Sequence, residues 1–389
     1  MRPVGLLARA CWGDVEVASS RDAVRVDSPG SGPELWFPWA SVAPGVLVAG
    51  ADAGVFDLPG VAPPLAVRWG DSGSVRGDGV GAVRRVGPAG EWAVFDHDRV
   101  LVTVVEPDST TRFPYWGDAA DLVAILDHGV FVHDTYRPVV EGSQLLGQTI
   151  VAAMRTAPGL RVVSAHMAFL RAADANSPVS ISLDPLADGR TFTCFAAQVE
   201  QGGRVRAAGT LLLGVPAADV VRHSPPLVGV PGPSAPEAVP YDMGVTGRAL
   251  RVVGATYTDD PDAPVGPPVI DAWVRFASLP SDPALHAGLL AQFTGHMSIA
   301  AALRPHAGVG QRAAHRTLST AINAIAITFH ADVRMDQWVL YHHEATAVTD
   351  GMSHSECRAF AEDGTLLASF TVDAMIRPME AGGDHRRDL

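Results

Sequence analysis

The chain contains no lysine, so all 29 of its basic residues are arginine. This excludes a lysine Schiff base and a phosphate-binding loop that needs a P-loop lysine. The 42 acidic residues give a net charge of −13. An acidic chain without a basic run favours neither nucleic acid nor an anionic membrane as a partner.

Cysteine and long apolar runs are also scarce. Cys11, Cys194 and Cys357 are odd in number and far apart, which is typical of reduced thiols rather than a disulfide framework. No apolar run reaches 18 residues, and the N-terminus is too weakly apolar for a secretory signal. We therefore expect a cytoplasmic protein, with no cofactor and no metal.

The length of 389 residues and the 47% hydrophobic content allow more than one core. Residues 1–137 alternate between apolar and polar positions in short segments such as "VEVAS", "RVLVTVVEPD" and "LVAILDHGVFVHD". Gly, Pro and Asp separate these segments. The pattern predicts a small β-rich domain made of strands.

From Glu141 onward the period becomes helical, and strands with turns at Asp188-Gly189 and Gly202-Gly203 follow. We predict a first repeat over 138–215. A connector dense in Pro and Gly covers 216–268, a second repeat covers 269–378, and a polar tail covers 379–389.

The second repeat has the same order of elements as the first. It begins a long helix with Ser281 as the predicted N-cap, and its last hairpin turns at Asp363-Gly364. A helix followed by a long meander cannot bury both of its faces alone. We therefore expect the two repeats to pack together around a shared core.

Several motifs have ordinary explanations. "GDSG" (70–73) and "GDGVGAVRRVG" (77–87) lack the neighbouring elements that a serine nucleophile or a phosphate cradle requires. His342 and His343 would point to opposite faces of a strand and could not share a metal ion. His166 and His330 lie within apolar strands, and we interpret them as core histidines bonded to the backbone.

The repeated order resembles the acyl-CoA thioesterase II family, whose members carry two hot-dog folds in one chain. The resemblance covers 138–378 and is carried by "GSQLLGQTIVAA", "VVSAHMAFLR", "LLAQFTGHMSIAAALRPH", "FHADVRMDQWVLY" and "DGTLLASFTVDAMIR". It implies an α+β protein with a double hot-dog body. A weaker resemblance covers the front, where "FPYWG" (113–117) stands in place of the Cys-Pro-Tyr-Lys-Gly stretch of a small β-domain family of unknown function.

The family resemblance implies that an acyl-CoA or acyl-carrier thioester binds at the N-terminus of the first helix. Free N–H groups and the helix dipole would meet the thioester carbonyl there. We expect Gly142 to let the substrate approach closely, and Gln144 and Gln148, one turn apart, to hydrogen-bond to it.

In the resembled family, Asp, Thr and Gln side chains hold the attacking water. Their positions fall on Gly295, Ile322 and Val372 in this chain, so none of these side chains is present. We expect Gly295 to contribute to binding, and the adjacent His296 to act as the base with Asn323 and Asp373 as orienting groups. Asn323 and Asp373 would need a strand bulge to point inward.

Glu141, just before the helix, is a further candidate, although an acidic residue is also favoured there by the helix dipole. The resemblance implies a hydrolase that cleaves an acyl thioester into a carboxylic acid and a thiol. Two alternatives stay open, a noncatalytic acyl-thioester-binding or scaffold protein and a thioester hydratase or dehydratase. A homo-oligomer is also left open.

Overall fold

The structure, a computed structural model, describes only part of the chain. The described residues are 1–26, 34–49, 55–57, 82–87, 90–95, 100–105, 112–114, 117–128, 139–174, 178–241, 243, 245–257, 263–277, 279–314 and 317–379. They form two compact units. The first takes its residues from 1–121, 133–137 and 242–247, and the second from 122–132, 138–241 and 248–389.

The first unit consists mainly of short strands. They are β1 (Arg2–Pro3), β2 (Leu7–Trp12), β3 (Val15–Ser20), β4 (Val24–Val26), β5 (Glu34–Pro38), β6 (Val48–Ala49), β7 (Val55–Asp57), β8 (Ala82–Gly87), β9 (Gly90–Phe95), β10 (Leu101–Val105), β11 (Arg112–Pro114) and β12 (Gly117–Asp118). One sheet has the order β1-β4-β5-β9-β8-β7-β6 and the other β11-β10-β2-β3. Ala10 and Val102 of one sheet and Phe37 and Phe95 of the other belong to one buried core.

One predicted strand of the front segment is wrong. "LVAILDHGVFVHD" begins inside a helix, α1 (Ala119–His128). Leu122, Ile125 and Leu126 are buried at helical spacing, which an alternating interpretation of the same letters misses. The motifs at 70–73 and 77–81, Tyr115-Trp116 and the predicted boundary between 137 and 138 lie outside the described residues.

The second unit contains the two repeats. After α1 come β13 (Val139–Val140), α2 (Gly142–Thr156), β14 (Arg161–Phe169), β15 (Ala173–Asp174), β16 (Ser180–Asp188), β17 (Phe192–Gln201) and β18 (Arg204–Gly214). The connecting stretch holds β19 (Ala238–Pro240) and β21 (Arg248–Val253), while β20 (Val245–Thr246), between them in the chain, belongs to the first unit and pairs with β12. The chain continues with β22 (Val269–Phe276), α3 (Pro283–Phe293), α4 (Ser298–Leu303), β23 (Leu318–Phe329), β24 (Val339–Thr349), β25 (Met352–Ala361) and β26 (Leu366–Pro378).

One sheet of 11 strands spans both repeats, in the order β16-β17-β18-β14-β23-β26-β25-β24-β22-β21-β19. In the first repeat the strand after the helix, β14, pairs with the last strand, β18. In the second, β23 pairs with β26 in the same way. β14 and β23 pair antiparallel and join the halves. The predicted use of one unit twice is therefore confirmed by the strand order.

The two long helices run antiparallel on one face of this sheet. A Cβ at Gly147 would lie 2.6 Å from the carbonyl oxygen of Gly288, so the helix backbones approach as closely as glycine allows. Arg155 at the end of α2 pairs with Asp282 at the start of α3, at 3.0 Å. The start of α2 therefore lies beside the end of α3.

The second helix differs from its prediction in two ways. Its N-cap is Asp282 rather than Ser281, because the Asp282 carboxylate accepts from the backbone N–H of Ala284 at 2.9 Å. The predicted long helix is divided into α3 and α4 by residues 294–297, where the Thr294 hydroxyl donates to the Ala291 carbonyl at 2.6 Å. This break positions the candidate site.

The structure contains tight turns at 202–203 and 364, whereas the predicted connector contains strands of its own. Gly202, Gly203 and Gly364 have φ values of +60°, +71° and +87°, as tight hairpin turns require. The Pro/Gly-rich stretch is more than a connector, since β19 and β21 within it extend the edge of the large sheet.

Candidate active site at the start of the first central helix

The site begins with the N-terminus of α2. Glu141 is the N-cap residue, and its side chain makes no capping hydrogen bond. The carbonyl of Glu141 accepts the first helical hydrogen bonds, from Gln144 at 3.0 Å and Leu145 at 3.3 Å. The N–H groups of Gly142 and Ser143 precede these bonds and have no acceptor within the helix. They form the positive end of the helix dipole.

The break between α3 and α4 lies against this helix start. A Cβ at Gly295 would lie 2.8 Å from the Ser143 hydroxyl oxygen and 3.9 Å from Cγ1 of Ile322. Two of the family's water-holding positions, Gly295 and Ile322, therefore do converge at the start of α2. The Ser143 side chain occupies the space that a carboxyl group on residue 295 would need.

His296 and Glu141 meet at this junction. The His296 Nε2 lies 3.4 Å from a carboxylate oxygen of Glu141, with His296 8% and Glu141 30% exposed. The imidazole also packs edge-on against Phe293, with ring centroids 4.7 Å apart. An acidic residue at the start of one helix and a basic residue at the end of an antiparallel one are each favoured by the helix dipoles.

Gln292 is a site residue that the sequence prediction missed. Its amide Nε2 lies 3.3 Å from Nε2 of His296, one helical turn away. Its side chain is buried, and its Oε1 atom has no hydrogen-bond partner among the described residues. The spacing of four between Gln292 and His296 is the signal that could have identified the pair.

Asn323 faces inward because β23 contains the bulge that the prediction required. The pairing of β23 with β26 shifts register between Ile322 and Ala324, so Asn323 has no residue directly opposite it. Thr320, before the bulge, and Ile325, after it, are both buried on the inward face of β23. The number of positions from one to the other is odd, so the bulge shifts the alternation of inward and outward side chains by one residue. The Asn323 Oδ1 atom is buried without a partner in the described structure.

Asp373 does not join this group. Its carboxylate bonds to Nδ1 of His354 at 2.6 Å on the outer face of the sheet, while its neighbours Val372 and Ala374 are fully buried. The expectation that Asp373 orients a water beside His296 is not met, because the bulge lies on β23 and leaves the alternation of β26 intact.

The three residues expected to bind substrate within α2 have other neighbours. A Cβ at Gly142 would lie 2.8 Å from the Phe169 ring, so an aromatic side chain fills the space on the side-chain side of this glycine. The Gln148 amide donates to the Ile125 carbonyl at 3.3 Å and ties α2 to α1. Gln144 is 4% exposed and lies in the first turn of the helix.

The other histidines divide between the two faces of the sheet. His342 bonds to Asp271 at 2.8 Å, and the bond raises the pKa of the imidazole. His343 is fully buried and its Nδ1 lies 3.0 Å from the Ser298 hydroxyl, while burial lowers its pKa to about 3. The predicted opposite orientation is confirmed. His166 and His330, however, are exposed rather than in the core, and His330 bonds to the Ser369 hydroxyl at 2.9 Å.

A separate cavity of about 520 Å³ lies on the sheet face opposite the helices. Outward-facing side chains line it, among them Ser164, His166, Thr328, Glu356 and Arg358. It therefore lies on the wrong face to receive a thioester at the start of α2. Among the described residues, no group of His, Cys, Asp and Glu side chains has the arrangement of a metal site, and no helix has the length and hydropathy to cross a membrane.

Comparison with known proteins agrees with this architecture. Residues 133–214 match the family of acyl-CoA thioesterase N-terminal domains, and residues 227–376 match the family of acyl-CoA thioesterase C-terminal domains. The chain is similar to acyl-CoA thioesterase 2 of Haemophilus influenzae, with 25% identity over 61% of this chain and 87% of that protein.

Two solved structures show the same arrangement. An acyl-CoA thioesterase II, TesB2, from Mycobacterium marinum is 25% identical, with a TM-score of 0.52 over 62% of this chain and 91% of the other. A hot-dog protein of unknown function from Alicyclobacillus acidocaldarius is 18% identical, with a TM-score of 0.50 over 63% of this chain and 90% of the other. The fold is therefore the double hot-dog that the resemblance implies.

Proposed function

The chain belongs to the acyl-CoA thioesterase family over residues 133–214 and 227–376, and we propose that it hydrolyses acyl-CoA thioesters with His296 as the general base. One observation carries the assignment of the base. The His296 imidazole, held 3.4 Å from Glu141, lies where α3 ends against the positive end of α2. A neutral imidazole is a suitable base near pH 7.

In the proposed reaction the thioester carbonyl oxygen faces the N–H groups of Gly142 and Ser143. These donors and the helix dipole stabilise the negative charge that develops on that oxygen. His296 takes a proton from water while the water oxygen bonds to the carbonyl carbon. The carbon–sulfur bond then breaks, the thiolate takes the proton from His296, and a carboxylic acid and free CoA leave.

Two residues support this role, Glu141 in contact with His296 and Asn323 next to Ile322 on β23. Glu141 favours the positive charge that the imidazole acquires when it takes the proton. The buried Oδ1 of Asn323 can accept a hydrogen bond from the attacking water, which would satisfy an atom that has no partner in the described structure. The set differs from the Asp, Thr and Gln of the resembled family but supplies the same two needs, a base and an acceptor that orients water.

The test is release of free thiol by the purified full-length protein from acyl-CoAs of several chain lengths, with acyl-carrier thioesters of the same acyl groups alongside. We expect hydrolysis by the wild type and a loss of about 10²- to 10⁴-fold in kcat/KM for His296→Ala. His166→Ala, on the opposite sheet face, serves as the matched histidine control.

Saturable acyl-CoA binding without thiol release at any chain length would overturn the hydrolase assignment. It would support the alternative hypothesis of a noncatalytic acyl-thioester-binding or scaffold protein. Equal rates for the wild type and His296→Ala would overturn the role of His296 and leave the reaction standing.

A further inference from the structure

Gln292, in the last turn of α3, is a buried polar side chain that the proposed reaction does not use. It is 2% exposed, and its Oε1 has no hydrogen-bond partner among the described residues. An apolar side chain of the same length would fill this space without an unpaired polar atom, so the carboxamide needs an explanation. The explanation lies at the other end of the amide, which faces His296.

The Nε2 atom of His296 is contacted from two sides. The amide Nε2 of Gln292 lies 3.3 Å from it, and a carboxylate oxygen of Glu141 lies 3.4 Å from the same atom. A carboxamide nitrogen only donates hydrogen bonds, and an ionised carboxylate only accepts them. Because each nitrogen of a neutral imidazole carries either a hydrogen or a lone pair, Nε2 cannot suit both of these neighbours.

The charge of Glu141 decides between the two. A carboxylate beside a ring nitrogen favours a hydrogen there over a lone pair, and hydrogen bonds to ionised groups are roughly twice as strong as neutral ones. The two ends of a carboxamide have the same shape, so turning it over exchanges oxygen and nitrogen in place. Oε1 of Gln292 then accepts from Nε2–H of His296, and the amide N–H groups occupy the position at which Oε1 has no donor.

The core holds the imidazole ring in this orientation. The ring packs edge-on against Phe293, with centroids 4.7 Å apart, and the backbone N–H of His296 donates to the Phe293 carbonyl at 3.3 Å. Phe293 packs in turn against Tyr341, whose hydroxyl donates to the Leu290 carbonyl at 3.0 Å. The direction of Nε2 is therefore set by buried aromatic side chains as well as by Glu141.

We infer that Gln292 is a positioning residue for His296: its amide oxygen and the Glu141 carboxylate hold the hydrogen of the neutral imidazole on Nε2, so that Nδ1 takes the proton from water. The inference deepens the proposed function and rests on it for the reaction step. As the water oxygen bonds to the carbonyl carbon, its proton passes to Nδ1. The departing thiolate takes that proton when the carbon–sulfur bond breaks, and Nε2 keeps its hydrogen throughout.

The first experiment locates the hydrogen by NMR of the full-length protein with ¹⁵N-labelled histidine, at about pH 8, where an ordinary imidazole is neutral. The His296 signals are identified by their loss in His296→Ala. We expect a hydrogen on Nε2 in the wild type. We expect its signal to shift in Gln292→Met, which keeps the length of the side chain but lacks the acceptor. A hydrogen on Nδ1 of the neutral ring, or an unchanged signal in Gln292→Met, would overturn the inference.

Turnover of acyl-CoA gives a second measurement. Gln292→Met removes a hydrogen bond that holds the base, so we expect kcat to fall by about 10- to 100-fold. KM should change by less than about twofold, because the loss affects the reaction step rather than substrate binding. A kcat equal to that of the wild type would contradict the positioning role.

Gln201→Met is the matched control. Gln201 is also a buried glutamine, 5% exposed, but it lies at the end of β17 in the first repeat. Both variants lose the packing of a buried carboxamide, whereas the contact with His296 belongs to Gln292. We expect the control to keep the wild-type kcat and the wild-type His296 signal. Equal losses of kcat in the two variants would reduce the effect to packing and overturn the inference.

The NMR measurement also separates this inference from the proposed function. If the protein cleaves no thioester, the proposed hydrolysis fails, and the His296 signals still decide whether Gln292 holds the hydrogen on Nε2. If hydrolysis is observed but the hydrogen lies on Nδ1, the proposed function stands and the positioning role of Gln292 fails.

Discussion

The carboxylate of Glu141 lies 3.4 Å from Nε2 of His296. Glu141 lies at the start of α2 and His296 just after the end of α3, and these two helix ends are adjacent because the helices run antiparallel. Glu141 is placed where the dipole of its own helix favours its charge. The contact joins the two repeats beside Gly295, one of the positions at which the resemblance implies a water-holding side chain.

The carboxylate of Glu141 should therefore contribute to turnover. Glu141→Gln keeps the size of the side chain but removes the charge that favours protonated His296, so we expect kcat/KM to fall by about tenfold or more. Asp373→Asn is the matched acid-to-amide control, since Asp373 lies on the outer face with His354. Thiol-release rates of the two variants test this role of Glu141. Equal losses of kcat/KM in both variants would contradict it.

The contact between Gly295 and Ser143 should be measurable as an energetic coupling. A Cβ at residue 295 would lie 2.8 Å from the Ser143 hydroxyl, so we expect Gly295→Ala to reduce the free energy of unfolding by about 1–3 kcal/mol. Ser143→Gly in the same chain should relieve part of this cost. Urea denaturation of the wild type, both single variants and the double variant gives the coupling, and strict additivity would show that the side chains do not compete for space.

The helix crossing should tolerate no side chain at its centre. At Gly147 the obstacle is the Gly288 backbone, 2.6 Å from the added Cβ, and a backbone carbonyl cannot rotate away as a side chain can. We expect Gly147→Ala to cost about 1–3 kcal/mol or more. Gly232→Ala, where no atom lies within 4 Å of the Cβ, is the control and should be neutral or slightly stabilising. Thermal unfolding of both variants tests the difference.

The pair formed by His342 and Asp271 should make stability depend on pH. Because the hydrogen bond to Asp271 raises the pKa of His342, the contribution of the pair is fully present below about pH 6.5. It is lost as the pH rises through the higher pKa of the folded state. The melting temperature of the wild type should therefore exceed that of Asp271→Asn most near pH 6, and the gap should narrow by pH 8.5. Asp184→Asn, an exposed control, should show no such narrowing. A gap that is constant or widens with pH would refute the prediction.

Local sequence patterns were sufficient for much of the fold. The helical period of α2, the glycine turns at 202–203 and 364 and the repeated order of helix and strands all follow from nearest-neighbour chemistry and periodicity. The periodicity of apolar residues gave a wrong prediction where it fitted both a helix and a strand. The apolar letters of 122–134 fit a strand as readily as the helix α1, and His166 and His330 looked buried because their neighbours are apolar.

For the candidate site, sequence and tertiary structure contributed different things. The residue types at 295, 322 and 372 already show that the Asp, Thr and Gln of the resembled family are missing, and the predicted start of α2 already implies backbone donors without partners in the helix. Which side chains meet there depends on tertiary packing. The bulge at Asn323 depends on pairing with β26, and the contacts of His296 with Glu141 and of Gly295 with Ser143 depend on the antiparallel approach of α2 and α3. Residues more than 100 positions apart are brought together by this packing, and no local pattern in the chain encodes that.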